Sequence, residues 1–147
     1  MSQDKPIKLF ISHVFTEEDD YHRFFEYVES VVNFFYLNFS KPDLSGAEAS
    51  PAAIRQQMSG AELVVLLSGV YDRDPTWVYE QARHARTLKI PVIALEPFGT
   101  GATIHPKLAA FADATVPWNG REIVDAIRKH ARNEDIARWD VIDFKLD

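Results

Sequence analysis

The segment Asp74-Pro-Thr-Trp77-Val-Tyr-Glu80-Gln81 sets an aromatic ring and a carboxyl or amide group in the first turns of a helix directly behind a buried strand. Cleavage of a sugar bond calls for that pairing. The ring offers a flat surface, and the polar group lies against a sugar on which positive charge builds as the leaving group departs. Asp74 caps the helix and Pro75 suits its first position, so Trp77 and Gln81, four residues apart, share one face. Glu80 lies about 100° round the helix from Gln81. Which of these two faces the pocket decides whether the molecule is active. Tyr71 and Tyr79 add to Trp77 as a wall for a ribose and a nicotinamide or adenine ring. Taken alone, Trp77 reads first as a packing residue, because aromatics dominate cores.

The histidines are His13, His22, His84, His105 and His130. No two of them have helical metal-site spacing with an intervening acid, so no metal is expected. His13 stands at a strand end facing the expected crevice, where it either lines a site or satisfies a local hydrogen bond. Asp19 and Asp20 look like the acidic pair of a receiver domain, but the third strand ends in Leu67-Ser68-Gly69 rather than in a phosphorylatable aspartate. They therefore read as solvated first-turn carboxylates that favour the helix dipole. The turn Ser12-His-Val-Phe-Thr16 contains no glycine, which excludes a Rossmann dinucleotide fingerprint. No glycine-rich loop ends in Lys-Ser or Lys-Thr, which excludes phosphate-loop NTPase chemistry. The net charge of −6 and the scattered basic residues argue against a general nucleic-acid binder. A local basic patch can still hold a dinucleotide pyrophosphate, which needs only one or two donors and some backbone N–H groups.

The elements that must position these residues follow from periodicity and punctuation. Ile7 to Ser12 reads as a first strand, and Thr16-Glu-Glu-Asp19 as a capping box opening a helix whose stripe is Phe24, Val28, Val31 and Phe35. A short strand from Tyr36 to Phe39 leads into a loop marked by Pro42 and Gly46. Ser50-Pro51 opens a short helix that ends near Ser59-Gly60. Glu62 to Ser68 is almost wholly aliphatic, as a central parallel strand buried on both faces reads. Then follow a helix from Pro75 to about Leu88, a strand Pro91 to Leu95, a loop through Gly99 and Gly101, a short helix His105 to Ala112, and a strand Ala114 to Pro117. Asn119 and Glu122 cap a last helix running to about Arg132. This alternation specifies an α/β fold with a five-stranded parallel sheet and its active surface at the strand carboxyl ends. With 147 residues, 46% of them hydrophobic, one domain is expected over residues 1–132, followed by an acidic, irregular extension over 133–147. The absence of cysteine suits a reducing cytosol, and no apolar run approaches a membrane span or a secretory leader, so a cytoplasmic protein is expected.

Taken in order, Phe10-Ile-Ser-His13, Asp20-Tyr21, Asn38-Phe-Ser-Lys-Pro42, Ser68-Gly-Val-Tyr71 with Trp77, and Trp118-Asn119 followed by Ile123 to Arg128 resemble the TIR-like family. The likeness is greatest to the bacterial TIR proteins of Thoeris-type antiphage defence, and it spans roughly residues 7–130. It implies a flavodoxin-like three-layer sandwich and an enzyme that cleaves the nicotinamide–ribose bond of NAD. NAD is then a substrate rather than a resident cofactor. The product would be a cyclised or conjugated ADP-ribose signal read by a separate effector protein, and a homo-oligomer is compatible with it. The implied binding residues are Ser12, His13, Asn38, Ser40, Asp43, Tyr71 and Trp77. The family's catalytic residue is a glutamate four positions after the tryptophan, and here Gln81 occupies that place. Three readings follow: an engineered Glu-to-Gln replacement, a one-residue shift that uses Glu80, or a naturally inactive domain. The alternative in a different class is a non-catalytic interaction module that scaffolds partners through the loop from Ser40 to Gly46.

Overall fold

Five aliphatic residues in a row leave no polar face for water, and the sheet is built around them. The computed structural model describes residues 6–13, 19–40, 50–99 and 103–132. Strand β3 (Leu63–Leu67) is buried at every position. It lies between β1 (Ile7–Ile11) and β4 (Val92–Leu95), with β2 (Tyr36–Asn38) and β5 (Ala114–Val116) at the edges, giving the order β2-β1-β3-β4-β5. All four pairings are parallel, for example Phe10 opposite Val64 and Val65 opposite Ile93. Parallel neighbours require crossovers, and these are helices. Helices α1 (Asp19–Glu29) and α6 (Gly120–Arg132) pack together, as do α2 (Pro51–Met58) and α4 (Pro75–Thr87). Two short helices, α3 (Ser68–Arg73) and α5 (Pro106–Phe111), also contact α4. The architecture is an α/β three-layer sandwich of the flavodoxin-like kind. Among the described residues no helix is long and apolar enough to cross a membrane.

The chain leaves β1 to build β2 on one side and then crosses back to build β3 on the other. That reversal opens a crevice between the carboxyl ends of β1 and β3, where ligands of open α/β sheets bind. Two expectations need correction. The α1 stripe ends with Val28, because the helix stops at Glu29 and Asn33 takes a left-handed turn at φ 66°. Val31 and Phe35 therefore lie outside the helix, with Phe35 exposed. The segment between β3 and Pro75, for which the sequence predicts no helix, folds at once into α3. Ser68 makes this possible by donating from Oγ to Leu95 O at 2.7 Å, which fixes the first turn against β4. The capping box at Thr16 to Asp19 lies largely outside the described residues, and residues 133–147 lie wholly outside them.

Candidate functional site

Helix α4 starts as its sequence requires. Asp74 accepts a hydrogen bond from the Trp77 N–H at 3.1 Å, and Pro75 supplies the first turn without wasting a donor. The next turn then carries Gln81 inward against β1, and it is 1% exposed. Its Nε2 donates to the main-chain oxygen of His13 at 2.5 Å. Its Oε1 is buried and has no hydrogen-bond partner among the described residues. Glu80, one position earlier, turns to the surface and pairs with Arg83 at 3.2 Å.

His13 is fully buried. Its Nε2 lies 2.9 Å from Gln57 Oε1 on α2, and that oxygen has no proton to give, so the imidazole donates there. The ring also packs on Phe10 and Tyr21, with centroid separations of 5.6 and 6.4 Å. His13 thus clamps α2 to the end of β1 through its side chain while its carbonyl receives α4. A second polar cluster stands beside it. Tyr21 O–H donates to Ser40 Oγ at 2.8 Å, Asn38 Nδ2 donates to Tyr21 Oη at 3.0 Å, and Asn38 Oδ1 accepts from both the backbone N–H and the hydroxyl of Ser40.

Trp77, Glu80 and Gln81 line a cavity of about 140 Å³ between α2 and α4, together with Ile54, Arg55 and His84. Ser12, Asn38, Ser40 and Tyr71 do not line it. Ser12 Oγ accepts from Leu67 N–H at 3.1 Å and so closes the β1–β3 junction. Ser40 and Asn38 are engaged with Tyr21, and the ring of buried Tyr71 packs on His105 at 5.0 Å. Asp43 lies outside the described residues. Asp20 departs from the expectation of a solvated carboxylate. It is buried, pairs with Arg23 at 2.5 Å and accepts from the Gly69 N–H at 3.0 Å, so it fixes the start of α3. Asp19 is exposed.

Two contributors went unseen in the sequence, Gln57 and Arg55, whereas Arg83 is the neighbour with which Glu80 is expected to pair from helical spacing. Nothing in a local pattern marks Gln57 or Arg55, because α2 reaches the site by packing on α4. The imidazolium form of His84 is disfavoured and its pKa held below the usual histidine range, first by burial and then by the guanidinium charges of Arg55 and Arg83. No family model matches the chain, and neither does any curated protein.

Proposed function

We propose that this domain binds NAD in the cavity between α2 and α4, where Gln81 reaches the end of β1, and cleaves its nicotinamide–ribose bond, with Gln81 in the position that limits the rate. The observation that carries the reading is Gln81 itself: a buried amide on the cavity wall beside Trp77, whose Oε1 lacks a donor among the described residues. A ribose hydroxyl is a donor of the right kind, and Trp77 offers the adjoining ring surface. In such a site the amide holds the sugar but cannot neutralise the charge that develops as nicotinamide leaves. Sequence resemblance to TIR-like enzymes supports the same reading and extends it to an ADP-ribose-derived signal, cyclised or conjugated, that a separate effector reads.

One observation favours a second reading. The Gln81 Nε2 to His13 O bond requires a donor at position 81, and an ionised glutamate would not supply one. This suits a domain that holds partners without catalysis. The two readings separate in one experiment. The parent protein and Gln81→Glu are incubated with NAD, and nicotinamide and ADP-ribose products are quantified by mass spectrometry. Slow release by the parent and a rise of roughly a hundredfold or more in the variant is the enzymatic outcome. Absence of turnover in both, with candidate acceptors and a physiological trigger present, leaves the interaction module.

A further inference from the structure

The cavity between α2 and α4 is lined by two chemically different groups of side chains. Trp77 and Gln81 form one; Arg55 of α2 with Arg83 and His84 of α4 form the other. Among the described residues the cationic group is not internally neutralised. Arg83 is paired with Glu80, whereas Arg55 has no hydrogen-bond or ion-pair partner among the described residues. Among the described lining residues, two guanidiniums stand against one carboxylate and leave one net positive charge on a concave site. Close placement of like charges is unfavourable unless something of opposite sign occupies the space between them. His84 lies in that field: burial first, and then the charges of Arg55 and Arg83, hold its pKa down. Along α4, residue 84 is about 4.5 Å of helix rise from residue 81, so a ligand seated at Gln81 reaches the basic side chains with its next chemical group.

We propose that Arg55, Arg83 and His84 form a phosphate subsite, which takes the pyrophosphate of a ligand whose sugar lies at Gln81. This rests on the NAD reading for the identity of the whole ligand, but the anion site stands on its own residues. Arg55 is the principal donor. A bound pyrophosphate supplies the counter-charge that the cluster lacks, and His84 is positioned to add a third hydrogen bond once an anion favours its protonated form.

The test follows the His84 ring resonances by NMR while pyrophosphate is added, and measures the affinities of ADP-ribose and of nicotinamide riboside, which carries no phosphate, by calorimetry. Expected are an upward shift of the His84 pKa on adding pyrophosphate, and a loss of roughly ten- to a hundredfold in ADP-ribose affinity in Arg55→Gln with riboside affinity unchanged. Arg55→Lys, which keeps the charge, should recover part of the loss. Arg55 is exposed, so the variants are expected to fold, and circular dichroism checks this. If ADP-ribose binds, Arg55→Gln leaves its affinity unchanged and pyrophosphate does not move His84, the subsite is overturned while the NAD reading stands. If pyrophosphate moves His84 in the parent but not in Arg55→Gln, and neither NAD nor ADP-ribose binds, the subsite stands and the NAD reading falls.

Discussion

Replacing Gln81 by glutamate exchanges a donor for an acceptor against a main-chain carbonyl. In the parent, Nε2 lies 2.5 Å from His13 O, and the side chain is 1% exposed. An ionised carboxylate in that rotamer loses the bond, sets a negative oxygen against the carbonyl oxygen and gives up its hydration. Loss of the bond costs about 1–3 kcal/mol. Burial raises the pKa of the introduced carboxyl, at about 1.4 kcal/mol for each unit. A rise of roughly two units therefore adds about 3 kcal/mol at pH 7, for a total of about 4–6 kcal/mol if the rotamer is kept. Rotation of the carboxylate toward the cavity lowers this, and about 2–4 kcal/mol is expected. The sign follows from linkage. A folded-state pKa above the unfolded value of about 4.3 means that the ionisation penalty is absent below pH ~4, grows as pH rises and levels off above the folded-state pKa. Urea unfolding of parent and variant at pH 4.5, 6.0 and 7.5 should show the stability gap widening with pH, at unchanged m-value. A gap that stays constant across this range would refute the hydrogen-bond geometry assigned to Gln81.

Glu80→Gln should change stability by less than about 0.5 kcal/mol and leave NAD turnover within about twofold, because its carboxylate is half-exposed and only pairs with Arg83. Abolished turnover in this variant would move the catalytic role to Glu80. Gly69→Ala should cost about 1–3 kcal/mol by thermal or urea unfolding, since a Cβ there would lie 2.5 Å from Asp20 Oδ2 and displace the carboxylate that anchors α3. Arg132→Ala should lower stability by about 1 kcal/mol at neutral pH, because Arg132 hydrogen-bonds Glu62 at the start of β3 and is the main cause of that carboxyl's lowered pKa. A depressed carboxyl stabilises above its unfolded-state pKa and loses that contribution as pH falls through the folded value. The difference between Arg132→Ala and parent should accordingly shrink below pH ~4, which a pH series of melting temperatures reads directly.

Much of the architecture is written locally. The aliphatic run Leu63–Leu67 is a buried central strand because no register of those residues offers water a polar face. Asp74-Pro75, Ser50-Pro51 and Asn119 open their helices where the sequence marks them, since a cap is a contact between residues three apart and needs no partner from elsewhere. The shared face of Trp77 and Gln81 and the sideways direction of Glu80 follow from helical geometry in the same way. What Gln81 meets on that face is another matter: His13 is 68 residues away, and His13 in turn meets Gln57 at a separation of 44. Asp20 reads as a surface carboxylate from its own neighbours, yet it is buried and accepts from the N–H of Gly69, 49 residues further on. The placing of Arg55 and His84 on one cavity wall is decided in the same way, by the packing of α2 on α4. Periodicity and capping energies act over one or two turns of chain and are legible in order along it. Partners for buried polar atoms are set by which elements the sheet order makes neighbours, and that order belongs to the tertiary structure.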